Sequence, residues 1–158
     1  MSEINNTKND KKSKIVTYKA ATNYESDRPK EINLHAEAQR LSRIISELPG
    51  SPCGTLKSHM KRQGMTIEVL ATESGVSEAT IKRLRSDPDY LPNKTTAFAI
   101  CIGLKLEPIL QRDWLRKLGI ALSVNSSDVF YEILLERFYA ESITTINIQL
   151  EKAGYQPL

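Results

Sequence analysis

The sequence predicts an all-α protein. Apolar residues recur at a helical spacing along most of the chain after residue 30. Residues that cap helix N-termini precede these stretches, and Gly or Pro follows them. With 158 residues, 40% of them hydrophobic and 26% charged, the composition is that of an ordinary globular protein with one domain and appended segments.

Residues 1–28 are expected to form a flexible polar arm. Asn, Lys, Asp, Ser and Thr dominate this stretch, and it offers few apolar side chains to bury. Its lysines would suit DNA phosphates, although runs of this kind are more often plain solvated tails. We therefore assign the arm no specific role.

An amphipathic helix is predicted within residues 29–50. Leu and Ile recur at a helical spacing from Leu34 to Leu48, and Pro49 with Gly50 ends the pattern. The apolar stripe needs a partner, which is either the following domain or a second subunit. Residues 50–54 are expected to be a linker because Gly, Ser and Pro cluster there.

The functional signal lies between residues 64 and 104. Thr66 is predicted to cap a short helix that ends at Gly75, and Ser77 is predicted to cap a second helix over residues 77–85. Two capped helices joined by a three-residue turn form a helix-turn-helix, whose second helix enters the DNA major groove. At 1.5 Å per residue the second helix is about 13 Å long. It fits a groove about 12 Å wide.

Other helices surround this motif. One is predicted over residues 55–63, one opens at Asn93, and one opens at Pro108 and stops at Gly119. Trp114 on the last of these is interpreted as a packing residue. Residues 124–158 are predicted to form a C-terminal helical hairpin, because their apolar residues also recur at a helical spacing.

These patterns resemble the lambda-repressor-like (XRE/Cro) helix-turn-helix family, and more narrowly the small helix-turn-helix proteins of Firmicutes and their mobile elements. The residues that carry the family likeness are Ala71, Gly75, Val76, Ser77, Ile81, Leu84, Pro92, Asn93, Ala97, Ile100, Cys101 and Leu104. The narrower likeness continues through residues 86–90, Pro92, Lys94, residues 118–123, Ile146, Asn147, Leu150, Gly154, Pro157 and Leu158. The resemblance implies a five-helix lambda-repressor-like domain over residues 55–120 that binds double-stranded DNA. One departure is that the family often has Glu and then Gly after the second helix, whereas this chain has Arg85-Ser86-Asp87. The departure leaves the course of the following loop open.

Candidate DNA contacts follow from the predicted docking of helix 77–85. Its first turn faces base edges, and one turn later Arg83 can donate two hydrogen bonds to guanine. Helix N-termini attract phosphates through their amides and dipole. The candidate DNA-binding residues are Thr66, Ser77, Glu78, Ala79, Thr80, Lys82, Arg83, Lys94 and Thr95. The alternative for each is a cap or a solvated charge with no role in binding.

Other classes of function find little support in the sequence. We recognise no nucleophile elbow, phosphate loop or paired acid and base, so no enzyme is expected. Cys53 and Cys101 lack a metal-binding spacing, so neither a metal nor a cofactor is expected. No apolar run approaches the ~18 residues of a membrane span, and no signal peptide is evident, which predicts a cytoplasmic protein.

Two hypotheses about function remain. In the first, the chain is a sequence-specific transcriptional regulator that binds DNA, with homodimers to double its contacts. The formal charge of +3 is compatible with this, and residues 55–103 hold seven Lys and Arg against five acids. In the second, it is a protein-interaction module, antitoxin-like or effector-recruiting, that acts through its C-terminal helices. The apolar residues of that segment favour the second hypothesis.

Overall fold

Eight α-helices make up the described part of the chain, residues 33–158 of a computed structural model. No strand occurs among these residues, so the all-α prediction is confirmed. The helices are α1 (Leu34–Glu47), α2 (Pro52–Arg62), α3 (Ile67–Ser74), α4 (Glu78–Ser86), α5 (Lys94–Gly103), α6 (Pro108–Lys117), α7 (Ser126–Arg137) and α8 (Ile143–Lys152). None of them is long and apolar enough to cross a membrane.

Helix α1 corresponds to the predicted amphipathic helix. It has no fully buried residue, but Leu41, Ile44 and Ile45 are half-buried against the core. Arg40 forms an ion pair with Glu107 at the start of α6. The stripe of α1 therefore packs on the chain's own domain. The predicted arm, residues 1–28, lies outside the described residues.

Helix α2 begins earlier than the sequence indicated, and the predicted linker at residues 50–54 is wrong. The Ser51 hydroxyl caps the helix by accepting a hydrogen bond from the Gly54 amide at 3.2 Å. Pro52 occupies the first helical position, where a missing N–H costs nothing. Pro52, which we interpreted as part of a linker, is thus the first residue of a helix.

Helices α2 to α6 enclose the main core. Its largest fully buried side chains include Leu56, Leu70, Ile81 and Phe98. Trp114 is also buried, and its indole N–H donates to the Pro52 carbonyl at 3.2 Å. Its predicted role in packing is confirmed.

The turn of the helix-turn-helix is braced where α3 meets α5. A Cβ atom on Gly103 would lie 2.6 Å from the Cβ of Ser74, so only glycine allows this approach. Ser74 is fully buried, and its hydroxyl donates to the Leu70 carbonyl and accepts from the Val76 amide. The start of the turn is therefore fixed from the inside of the domain.

The predicted C-terminal hairpin is present as α7 and α8. It adds Leu134, Leu135, Ile146 and Leu150 to the same core. The buried Gln111 side chain donates to the carbonyls of Leu106 and Leu135 at 2.6 and 3.0 Å. The extension is thus joined to the domain by apolar packing and by hydrogen bonds.

Candidate nucleic-acid interface

The helix-turn-helix is built by two side-chain caps and one glycine. The Thr66 hydroxyl accepts from the Val69 amide at 3.2 Å at the start of α3. Gly75 ends α3 with φ of 71°, a conformation that suits a residue without Cβ. The Ser77 hydroxyl then accepts from the Thr80 amide at 3.2 Å and starts α4. All three predicted local signals are confirmed.

Helix α4 presents one apolar and one polar face. Ile81 and Leu84 are buried against the other helices of the domain. On the opposite face Ala79, Lys82 and Arg83 are exposed, and Glu78 and Thr80 are half-buried. Apart from Ala79, the side chains of this face can donate or accept hydrogen bonds at base edges and phosphates.

Two contacts within α4 order its first turn. The side chains of Ser77 and Thr80 share a hydrogen bond of 2.9 Å. Lys82 donates to the carboxylate of Glu78 at 3.1 Å. Exposed pairs of this spacing contribute only ~0.3–0.5 kcal/mol to stability. The Lys82 ammonium can therefore exchange Glu78 for a phosphate at small cost.

The side chain of Arg83 is 61% exposed but held in a defined orientation. Its Nε donates to the Asp87 carboxylate at 3.3 Å. Its guanidinium carbon lies 4.2 Å from the centre of the Tyr90 ring. Asp87 and Tyr90 belong to the loop whose course the sequence left open, and both turn back towards α4.

Arg85, near the C-terminal end of α4, is half-buried, although arginine side chains are mostly exposed. Its Nε is buried without a hydrogen-bond partner among residues 33–158. We therefore do not count it as part of the exposed face.

The start of α5 is the second predicted phosphate site. The Asn93 side chain caps this helix by accepting from the Thr96 amide at 2.7 Å. The Thr95 hydroxyl also donates to Asn93, at 2.9 Å. Lys94 instead points its ammonium at Asp128 of α7, 3.0 and 2.9 Å from the two carboxylate oxygens.

Asp128 is a residue that sequence reasoning missed. Its carboxylate accepts from the Ser123 amide and hydroxyl at 2.8 and 2.7 Å, as well as from Lys94. The hydrogen bonds from Ser123 and then Lys94 lower the pKa of Asp128 to about 2. A signal was available, because Asn125 followed three residues later by Asp128 is a capping pattern, and the Asn125 side chain accepts from the Asp128 amide at 2.9 Å.

The geometry provides a surface that is suited to binding. In the part of the chain that the structure describes, no group of three or more His, Cys, Asp or Glu residues is placed to hold a metal ion. What the site offers is an exposed helix with donors and acceptors along one face, flanked by capped helix N-termini. That arrangement matches the needs of a double-helical polyanion with readable base edges.

Comparison with known proteins bears on the same segment. Residues 56–110 match the model of a helix-turn-helix family, a span that covers most of α2, all of α3 to α5 and the start of α6. No curated protein and no solved structure matches the chain. Residues 56–110 of this chain therefore form a helix-turn-helix domain.

Proposed function

We propose that the chain is a sequence-specific regulator of transcription that binds double-stranded DNA with α4 in the major groove. The observation that carries this proposal is the exposed polar face of α4, which ends in an ordered Arg83. Side chains of this kind read bases in the major groove, where each base pair has a distinct pattern of donors and acceptors. Such a protein would act in the cytoplasm.

Base contacts are assigned to the exposed side of α4. Glu78, Ala79 and Thr80 lie in its first turn, which faces the groove floor in this docking mode. Glu78 is suited to accept from the amino group of cytosine, and Ala79 to contact the methyl group of thymine. Arg83 is suited to donate to N7 and O6 of one guanine.

Phosphate contacts are assigned to helix starts and to Lys82. Thr66 and Ser77 keep their capping bonds and present hydroxyls near the N-termini of α3 and α4. Thr95 lies in the first turn of α5, whose dipole favours an anion. Lys94 would serve a phosphate only by sharing or leaving Asp128, so its contribution is coupled to the C-terminal extension.

We also propose that two copies pair through the C-terminal hairpin. Between α7 and α8 lies a groove of about 510 Å³ that is lined mainly by apolar side chains, including Phe130, Ile133 and Phe138. Ile133 and Phe138 are 44% and 45% exposed, so two large apolar side chains of one groove lie open on the surface.

The charges beside this groove favour a second copy as its occupant. Glu141 lines the groove, and Arg137 precedes Phe138 in the chain. Neither has an ion pair among the described residues. A two-fold axis brings the same patch of each copy together, so one copy's arginine can meet the other copy's glutamate. Pairing also doubles the contacts to DNA, which one motif alone makes too sparsely for tight binding.

The same groove supports the second candidate function, an interaction module for another protein. An apolar groove between two helices also accepts an amphipathic helix from a partner. In that case the exposed face of α4 would have no part in recognition. Assays of DNA binding and of self-association distinguish the two candidate functions.

An electrophoretic mobility shift assay with a random-sequence duplex pool tests the proposal. We expect retained duplexes at low salt, an affinity that falls steeply as salt rises, and enrichment of one sequence over repeated rounds of selection. Absence of any retained duplex at low salt would favour the interaction module. Retention without enrichment would leave a non-specific DNA-binding protein.

A further inference from the structure

The loop after α4, residues 87–90, is ordered by Asp87. The Asp87 amide donates to the Arg83 carbonyl at 2.9 Å, and the Asp87 carbonyl accepts from the Tyr90 amide at 3.3 Å. One carboxylate oxygen of Asp87 accepts from the Asp89 amide at 3.1 Å. The other accepts from Arg83 Nε at 3.3 Å. One carboxylate therefore fixes both the loop and the arginine.

The Tyr90 ring restricts the orientation of the Arg83 guanidinium from a second side. This ring lies under the guanidinium carbon of Arg83 at 4.2 Å, and Tyr90 itself is half-buried and packs against the core. The ring is thus a fixed support for a side chain that is otherwise exposed. A cation held over an aromatic face gains further attraction from the ring.

The contacts with Asp87 and Tyr90 leave the two terminal nitrogens of Arg83 available for hydrogen bonds to DNA. The guanidinium is planar and carries five N–H donors. Asp87 takes the Nε donor and Tyr90 covers one face, whereas the two terminal nitrogens make no hydrogen bond among the described residues. Two terminal N–H groups in one plane are what N7 and O6 of a guanine require.

We propose that Asp87 and Tyr90 are positioning residues that hold Arg83 in the orientation for reading one guanine. The inference rests on the proposed DNA-binding function and names the class of target, a site with a guanine at a fixed position. The exposed pair of Arg83 with Asp87 is weak on its own, so the positioning rests on this pair together with the Tyr90 ring, which restricts the guanidinium from a second side. The carboxylate of Asp87 also repels phosphate, so its presence beside the interface lowers non-specific affinity.

The experiment uses the full chain and the duplex that the wild-type protein selects from a random pool. Each guanine of that duplex is replaced in turn by 7-deazaguanine, which lacks the N7 acceptor. We expect one position at which the replacement weakens wild-type binding by about tenfold. Arg83→Ala should remove the sensitivity at that position.

The variants Asp87→Asn and Tyr90→Leu test whether these two residues position Arg83. We expect each to reduce the sensitivity at that guanine by about threefold to fivefold. Asp87→Asn should at the same time bind random duplexes more tightly, because a negative charge is lost. In the Arg83→Ala background, Asp87→Asn should change the sensitivity no further. Thermal unfolding of each variant checks folding, and Asp87→Asn keeps the test valid should Tyr90→Leu fail to fold.

A matched control is Glu136→Gln on α7, which removes the same charge from an exposed ion pair with Arg112 on α6. It should leave the sensitivity at guanine unchanged. The inference would be overturned if Asp87→Asn left the sensitivity to 7-deazaguanine undiminished. It would also be overturned if Asp87→Asn changed that sensitivity equally in the wild-type and Arg83→Ala backgrounds. Either result would leave DNA binding intact. If the wild-type protein selects no duplex, the proposed function and this inference fail together.

Discussion

Lys94 on α5 donates to both carboxylate oxygens of Asp128 on α7, at 3.0 and 2.9 Å. The side chain of Asp128 is only 6% exposed, and Ser123 supplies two further hydrogen bonds to it. The residue predicted to meet a DNA phosphate thus also fastens the C-terminal extension to the helix-turn-helix domain. Events at the extension and at the start of α5 are therefore physically linked.

Lys94→Ala is expected to affect stability and DNA binding together. Removing the ammonium leaves a largely buried carboxylate without its cation, so the midpoint of thermal unfolding should fall. Affinity for specific and random duplexes should fall alike, because a phosphate contact carries no sequence information. Calorimetry and mobility shift assays measure the two effects. Asp128→Asn serves as the comparison: it should also lower the midpoint, but it should strengthen binding to random duplexes because Lys94 is released.

His59 should make stability depend on pH in the mildly acidic range. It is fully buried, and burial followed by the charge of Arg62 lowers its pKa from 6.5 to about 4. The unfolded chain therefore binds a proton between pH 6.5 and 4 that the folded chain excludes, so the free energy of unfolding falls as pH falls through that window. Urea unfolding at pH 7, 5.5 and 4.5 measures the effect.

His59→Gln is the control for the pH dependence of stability. In this variant the free energy of unfolding should change less between pH 6.5 and 4. The Asp128 carboxylate behaves differently, because its pKa is lowered from 3.8 to about 2. Its contribution is present above pH 3.8 and is lost only between there and pH 2. An unchanged slope in His59→Gln would contradict the assignment to His59.

Gly103→Ala should destabilise the domain through the packing of α3 on α5. The added methyl group would lie 2.6 Å from the Cβ and 3.0 Å from the Cα of Ser74, and backbone there cannot easily move. Overpacking of this kind costs about 1–3 kcal/mol in the free energy of unfolding. Gly50→Ala is a matched control, because a Cβ there meets nothing within 4 Å. Equal stability of the two variants would show that the helices can separate without cost.

The proposed dimer predicts a specific monomeric variant. Each chain has a mass of 17.8 kDa, and light scattering of the wild-type protein should give twice that value. Ile133→Glu places a charge in the apolar groove between α7 and α8 and should give the mass of one chain. Val124→Glu is the control, since Val124 is 98% exposed in a loop and should leave the dimer intact. A wild-type protein of single-chain mass would exclude pairing through the hairpin.

Local rules in the sequence accounted for most of the helix-turn-helix. Thr66, Ser77 and Asn93 were predictable as caps because each hydroxyl or amide bonds an amide within three residues. Gly75 was predictable because a short turn after a helix needs positive φ. These signals depend only on neighbours in the chain.

Contacts between distant segments could not be predicted in the same way. The pairing of Lys94 with Asp128 joins residues 34 positions apart, and nothing near either residue indicates the other. The close approach of Gly103 to Ser74 likewise joins residues far apart in the chain. The orientation of Arg83 depends on a loop whose course follows from two prolines and the docking of Tyr90. Each of these three features depends on tertiary packing rather than on neighbours in the sequence.

The central claim is that α4 reads DNA sequence through Arg83, and the most direct test is the ratio of dissociation constants for a random and a selected duplex at fixed salt. For the wild-type protein this ratio should be large. Arg83→Ala should lower it by about tenfold or more, mainly by weakening the selected duplex. An equal loss of affinity for both duplexes in Arg83→Ala, or no binding by the wild-type protein at low salt, would contradict the claim.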